Sequence, residues 1–242
     1  FRRLRVRNCL GGGIYVAGGR LVMDCEVISC SGGANQGGGI ILASDSATVF
    51  RCLVTGCSNG IYTRQFGGGR AIQCLVRTST AYGFLADFGP CGWFNCTAYN
   101  CADSGFYVNV AQGVDAHNCI AVGCGAVGSN KGFDSQSGTR SYFLLNCTGY
   151  NNFNGNVGTN VPADHIEGFI TLSADPFTDA AGGDFSLNNT IGGGRLLRGA
   201  GFPAGAWPAL ATSQSAPDVG AFQRSSATAV GGVSRSRVIG GV

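Results

Sequence analysis

Cysteine recurs along this chain with a regular period, and this spacing constrains the fold more than any other feature. Six of the twelve cysteines are separated by 27, 22, 22, 23 and 28 residues: Cys25, Cys52, Cys74, Cys96, Cys119 and Cys147. A second series lies five residues later: Cys30, Cys57, Cys101 and Cys124. Cys9 fits as an earlier member, whereas Cys91 lies outside both series. A period of about 20 to 50 residues indicates a protein built from stacked repeats.

A strand is predicted around each cysteine of the first series, because apolar and polar residues alternate there. The cysteine and the residues two places to either side are expected to point inward. Two places before it come Met23, Phe50, Ile72, Phe94, His117 and Leu145. The residues directly before it are expected on the opposite, polar face: Asp24, Arg51, Gln73, Asn95, Asn118 and Asn146.

A second strand is predicted after a recurring glycine that precedes a large apolar residue. The pairs are Gly13-Ile14, Gly39-Ile40, Gly60-Ile61, Gly83-Phe84, Gly105-Phe106 and Gly132-Phe133. We expect the apolar residue to point inward, together with the residue two places later: Leu42, Thr63, Ala86, Val108 and Ser135. Glycine at this position is expected to provide a turn with positive φ.

Two short strands per repeat, with like residues at like positions, predict a solenoid whose coils stack about 4.8 Å apart. The pattern resembles the right-handed parallel β-helix of pectate-lyase-like proteins. The predicted fold class is therefore all-β, a right-handed parallel β-helix of about seven coils with an atypical C-terminal cap. The alternating residues from Phe1 to Arg7 are typical of a strand already under way, so we expect a further segment before them.

The cysteine series stops near Asn152, and the chain then changes character. Residues 174–188 contain Asp-Pro-Phe and Gly-Asp-Phe-Ser-Leu, and residues 218–222 read Asp-Val-Gly-Ala-Phe. This segment resembles the closing segment of bacterial and phage-associated secreted β-helix proteins. We predict coils over residues 1–160, closing coils and a cap over 161–224, and a low-complexity tail over 225–242.

The twelve cysteines suggest three alternatives. Their phase favours free thiols stacked in the core, because cysteine packs as a small buried group. At least one disulfide is the second alternative, since neighbouring coils are close enough for a bridge and Cys91 could pair outside the series. A zinc site is the third and is disfavoured, since no paired C-x₂-C motif occurs.

The outward positions of the second strand predict a binding face. One column holds Tyr15, Ile41, Tyr62, Leu85, Tyr107 and Asp134, and the neighbouring column holds Arg64, Asp87, Asn109 and Gln136. Tyrosine rings stack on sugars and planar polar groups bond their hydroxyls, so a carbohydrate is one candidate partner. A subunit contact and an ordinary solvated sheet remain open. The candidate contact residues are Tyr62, Arg64, Asp87, Tyr107, Asn109 and Gln136.

No catalytic residue is predicted. The strings typical of pectate lyases and polygalacturonases are absent, and the carboxylate pairs to consider are Asp87 with Asp103 and Asp115 with Asp134. His117 is expected in the core and His165 at the surface. We predict no cofactor and no metal.

A net charge of +3 and the absence of a basic window exclude a nucleic-acid partner, and no apolar run is long enough to span a membrane. The leading hypothesis is a non-catalytic structural protein outside the cytoplasm: a fibre, filament or virion-appendage subunit that self-associates. A carbohydrate-binding or adhesion module is the first alternative, and a polysaccharide lyase or glycoside hydrolase is the second.

Overall fold

The chain forms a parallel β-solenoid in which each coil adds one strand to each of three sheets. The computed structural model describes residues 1–32, 37–43, 46–64, 68–109, 113–128, 130–136, 142–201 and 218–223. The predicted tail over 225–242 lies outside these residues. Pairing within the three sheets is parallel throughout, as the repeat predicted.

Sheet A precedes the cysteines of the first series. Its strands are Leu21–Met23, Thr48–Phe50, Gly69–Ile72, Cys91–Phe94, Val114–His117, Tyr142–Leu145 and Ile166–Glu167. Sheet B follows those cysteines. Its strands are Arg5–Arg7, Glu26–Ile28, Leu53–Thr55, Leu75–Arg77, Thr97–Tyr99, Ile120–Val122, Thr148–Tyr150 and Ile170–Thr171.

Sheet C contains the strands at the recurring glycines, which lie directly before four of these strands and inside the other two. They are Ile14–Val16, Gly38–Leu42, Asn59–Thr63, Phe84–Ala86, Phe106–Val108 and Phe133–Ser135. Six coils therefore contribute a strand to all three sheets, one fewer than the seven predicted. The strands Thr148–Tyr150, Ile166–Glu167 and Ile170–Thr171 add a partial coil at the C-terminal end.

The core fills the inside of the coils with columns of like side chains. In sheet C, Ile61 pairs in register with Phe84, Phe84 with Phe106, and Phe106 with Phe133. The three phenyl rings stack at 4.7 and 4.8 Å between centroids. All are fully buried, as predicted for the residue after each glycine.

The single strand predicted around each cysteine is wrong, because the chain bends there and separates sheet A from sheet B. The residue before each cysteine has a left-handed backbone conformation, with φ of 51° at Asn95 and 54° at Asn118. This bend interrupts the alternation, so the inward residue of sheet A lies three places before the cysteine and not two. Trp93 and Ala116 are buried inside the coil, whereas His117 lies on the outer side and is half-buried.

The recurring glycines also differ from their predicted role. None of Gly13, Gly39, Gly60, Gly83, Gly105 and Gly132 is among the glycines with positive φ. Space is the reason for glycine: a Cβ on Gly60 would lie 2.2 Å from Cγ1 of Val76 and 2.3 Å from the carbonyl oxygen of Gly83. The coil turns sharply from sheet B into sheet C here, and a side chain would collide with the next coil.

All twelve cysteines are free thiols, and all except Cys9 are buried. The Sγ of Cys74 donates to the carbonyl oxygen of Ile72 at 3.3 Å, and the other cysteines of the first series repeat this bond. In the second series, Ser79 and Asn152 occupy the places where no cysteine occurs. The amide of Cys124 donates to Oδ1 of Asn152 at 2.9 Å.

The segment after the coils folds back along the outer face of sheet B. It contains the antiparallel strands Phe177–Asp179 and Asp184–Leu187 and a short helix (Gly194–Leu197). A 3₁₀ turn (Ala163–His165) lies earlier, directly before the partial coil, and its His165 packs on Phe143 of sheet A. Phe177, Phe185 and Val219 are buried in one apolar cluster with Ile120 of sheet B. The division at residues 160 and 224 remains a prediction.

Candidate functional site

The candidate site is the outer face of sheet C and the turns at its two ends, named here the sheet C face. Tyr62, Leu85, Tyr107 and Asp134 succeed one another in register across four coils. These side chains point outward, as predicted for this column. Several of them are nevertheless much less exposed to solvent than a binding face would require. Ile41 and Tyr62 are 3% exposed and Leu85 is 8% exposed, because these three side chains form an apolar cluster outside the coil.

Asp87 joins three coils at the end of this face where the chain leaves sheet C. The Tyr62 hydroxyl donates to Oδ2 of Asp87 at 2.7 Å, and Nδ2 of Asn109 donates to Oδ1 at 2.6 Å. Burial, followed by the bond to Asp87, raises the pKa of Tyr62. The hydroxyl therefore remains a donor, and three of the six predicted contact residues form one hydrogen-bonded row.

Arg64 and Gln136 lie at the same end of the face as this row. The half-buried Arg64 is close enough to lower the pKa of Tyr62, although burial outweighs this effect. Gln136 is exposed and occupies the position equivalent to Asn109 in the next coil. Its main-chain N–H donates to the main-chain carbonyl oxygen of Val108 at 2.8 Å. The row therefore continues towards the C-terminal coils as a series of polar side chains.

A pair of tyrosines, Tyr82 and Tyr107, lies at the other end of the face, and only Tyr107 is among the predicted contact residues. The rings of Tyr82 and Tyr107 stack with centroids 4.5 Å apart and planes 17° apart. Both are half-buried and pack against the cluster of Ile41, Tyr62 and Leu85. Tyr82 comes directly before Gly83, and this position of the repeat otherwise holds Gly12, Gly38, Asn59, Ser104 and Lys131. The column has no common residue type, so the period could not reveal it.

Two carboxylates lie near the tyrosine pair. Asp103 accepts a hydrogen bond from Nδ2 of Asn130 at 2.9 Å, and Oδ1 of Asp134 accepts one from the Ser135 amide at 2.9 Å. Burial raises the pKa of both carboxyl groups. Burial, followed by the charges of Tyr107, Asp103 and Asp134, raises the pKa of Tyr82 to about 12. The four side chains thus interact electrostatically as one group.

The carboxylate pairs considered for catalysis are not brought together. Asp87 follows its strand of sheet C, whereas Asp103 precedes the next strand and its amide donates to the carbonyl oxygen of Ala81. The two residues therefore lie at opposite ends of the sheet. Asp134 belongs to sheet C and Asp115 to sheet A. Within the described ranges, no group of three or more His, Cys, Asp or Glu side chains could hold a metal ion.

The two histidines lie on the outside of sheet A, away from the sheet C face. His117 packs edge-on against Phe94, with ring centroids 5.1 Å apart, and His165 stacks on Phe143 at 4.1 Å. Burial lowers the pKa of His117, against an opposing effect of Asp115. His117 is therefore a half-buried residue of the outer side of sheet A and not of the core where it was expected.

The three parallel sheets and the regular coil agree with a comparison with known protein families. The family model described as a right-handed beta helix region matches residues 1–153. The chain belongs to the right-handed β-helix family. A search of curated proteins found no match.

This β-helix protein is also similar to a solved structure, the crystal structure of pectate lyase Pel9A. The TM-score is 0.64 and the sequence identity is 16%, over 91% of this chain. The chain spans 64% of the length of that structure. At this identity the similarity shows a shared fold.

In the part of the β-helix protein that the structure describes, no helix has the length and apolar character needed to cross a membrane.

Proposed function

We propose that this β-helix protein is a non-catalytic module outside the cytoplasm that binds a polysaccharide along the sheet C face. The observation that carries the proposal is the stacked pair of Tyr82 and Tyr107 at one end of the face, with the hydrogen-bonded row of Tyr62, Asp87 and Asn109 at the other. Aromatic rings and planar polar groups on one rigid surface are the combination that sugar rings and hydroxyls recognise.

The scaffold favours binding with little loss of conformational entropy. Four of the six described strands of sheet C pair on both sides, so the side chains that they carry are positioned before a ligand arrives. Successive coils offer polar groups about 4.8 Å apart. A chain of sugars could therefore contact several coils at once, and each added contact would strengthen the others through proximity.

A polysaccharide lyase or glycoside hydrolase is the alternative function, and the fold shared with a pectate lyase is the reason to test it. Glycoside hydrolysis uses two carboxylates about 5 to 9.5 Å apart. Asp87 and Asp103 lie at opposite ends of sheet C, and Asp115 lies on another sheet. Neither predicted pair therefore has this arrangement. Release of unsaturated or reducing ends from a panel of polysaccharides would establish the alternative and contradict our proposal.

The binding experiment uses a glycan array followed by calorimetry with the best ligand. Tyr107→Ala should reduce affinity about tenfold or more, because it removes one ring of the stacked pair. Tyr107→Phe keeps the ring and should bind nearly as tightly as the wild type. Phe143→Ala is the matched control, since it removes a 42% exposed aromatic ring from sheet A. An array without a ligand, or equal binding by Tyr107→Ala, would refute the proposal.

Assembly into a fibre, filament or virion appendage remains a separate prediction, as does a location at a cell or virion surface. Sedimentation and electron microscopy of the purified protein would test self-association. A single monomeric species at high concentration would count against the fibre and leave the binding proposal intact.

A further inference from the structure

We infer that the sheet C face prefers a polysaccharide of amino sugars, whose protonated amines lie between the Tyr82–Tyr107 pair and the carboxylates of Asp103 and Asp134. This inference rests on the proposed binding function and names the class of sugar.

The carboxylates on this part of the face have amide donors as their recorded partners. Asp103 accepts from the Asn130 side chain and Asp134 from the Ser135 main chain. Among the described residues, the recorded ion pairs are in the first three coils and join Asp24 and Glu26 to arginines. When ionised, these two half-buried carboxylates would form charge-assisted hydrogen bonds with a cationic ligand.

The aromatic pair adds to the attraction for a cation. The face of a tyrosine ring carries negative electrostatic potential, and an ammonium group over it is attracted, most strongly when water is displaced. Tyr82 and Tyr107 each feel the charges of both Asp103 and Asp134. Rings and carboxylates in one place are the combination with which proteins recognise ammonium groups, whereas neutral sugars require only the rings.

Two cations of the protein itself flank this region, and they do not cancel its charge. Lys131 is close enough to lower the pKa of Asp134, although burial dominates and the pKa is raised overall. Arg64 lies beyond Tyr62 at the opposite end of the strands. Lys131 alone cannot neutralise both Asp103 and Asp134. A polyuronate would bring further negative charge to these carboxylates and should be repelled.

The test compares three oligosaccharides of equal length by calorimetry at low salt and about pH 6, where amines are protonated and ordinary carboxylates are ionised. They are a glucosamine oligomer, its N-acetylated form and a galacturonate oligomer. The glucosamine oligomer should bind about tenfold tighter than the N-acetylated form, and the galacturonate oligomer should bind most weakly. Equal affinity for the first two, or tighter binding of galacturonate, would overturn the inference.

Neutral variants then assign the preference to this site. Asp103→Asn and Asp134→Asn should lower the affinity for the glucosamine oligomer towards that of the N-acetylated form, whose affinity should stay unchanged. Asp115→Asn is the control, since it removes the same charge from an exposed position on sheet A. An equal loss in all three variants would indicate a general charge effect and contradict the inference. If a variant does not fold, the comparison of ligands on the wild type still decides.

Failure of the inference and failure of the proposed function give different results. Binding of the N-acetylated oligomer that depends on Tyr107, without a gain for glucosamine, refutes the amino-sugar preference alone. Absence of binding to any glycan refutes both.

Discussion

The recurring glycines illustrate how one residue type satisfies different requirements at the residue scale. Glycine before a strand suggests positive φ, and Gly18 and Gly56 do have φ of 73° and 62°. The glycines of the repeat instead lie where the wall of one coil touches the next. At Gly39 a Cβ would lie 2.2 Å from Cγ1 of Val54. Here the absence of a side chain, and not the freedom of the backbone, explains the residue.

Gly60→Ala should therefore destabilise the protein by about 3 kcal/mol, because the new methyl group would collide with Val76 and with the main chain of Gly83. Gly11→Ala is the matched control, since no atom lies within 4 Å of the position of its Cβ. It should change the free energy of unfolding by less than about 0.5 kcal/mol. Urea unfolding of both variants measures the difference, and similar values for the two would show that space is not the constraint.

At the scale of elements, the bend between sheet A and sheet B has two functions. It turns the coil, and its side chains and main chain bind the closing segment. Nδ2 of Asn95 donates to the carbonyl oxygen of Asp218 at 2.7 Å, and the amide of Gly220 donates to the carbonyl oxygen of Asn118 at 2.7 Å. Asparagine suits both functions, because it tolerates the left-handed conformation better than most residues and carries a donor.

Asn95→Ala should cost about 2 to 3 kcal/mol, since it combines left-handed strain with the loss of a buried hydrogen bond. Asn95→Gly relieves the strain and should cost about 1 kcal/mol. Asn100 has φ of 50° but is exposed, so Asn100→Ala should show the strain alone, about 1 kcal/mol. Denaturant unfolding of the three variants separates the two contributions. An equal loss in Asn95→Ala and Asn95→Gly would mean that the backbone conformation is not strained.

At the scale of the whole molecule, the closing segment covers one side of the rod. The closing segment lies on sheet B, where Leu197 and Val219 are fully buried against the coils. The bond from Asn95 to Asp218 spans 123 residues, so the end of the described chain stabilises the middle of the rod. The sheet C face lies on another side of the coil and is not covered by residues 194–201 or 218–223.

The stacked thiols belong to this scale as well, because their protection depends on the intact rod. Burial raises the pKa of Cys25, Cys74, Cys119 and Cys124, and that of Cys57 to about 11. At Cys96 and Cys101 burial also acts to raise the pKa, but hydrogen bonds outweigh it and the pKa is lowered, so burial itself must protect these two thiols. A thiol reagent reacts with the exposed thiolate. We expect the native protein to react at no more than one cysteine, Cys9, and the unfolded protein to react at all twelve. Several fast-reacting thiols in the native state would contradict the burial, and fewer than twelve after unfolding would indicate disulfides.

Much of the coil follows from the sequence because neighbouring coils touch at equivalent positions. Ile61, Phe84 and Phe106 pair in register, so their contacts repeat with the same period as the residues themselves. The spacing of like residues along the sequence therefore predicts the parallel β-helix and the inward columns of sheet C. The row of Asp87 and Asn109 also occupies equivalent positions, so the sequence placed these residues on one face.

The features that do not repeat along the chain could not be predicted from the sequence and became apparent only in the tertiary structure. The bend at Asn95 moved the inward position of sheet A from Phe94 to Trp93, because left-handed φ breaks the two-residue alternation. Tyr82 stacks on Tyr107, although no other residue at its position of the repeat is aromatic. The closing segment binds the bend beside sheet B through contacts such as that of Asn95 with Asp218, which are 123 residues apart. A periodic pattern encodes contacts between equivalent positions of adjacent coils. Contacts between non-equivalent positions depend on how the finished coil places side chains in space.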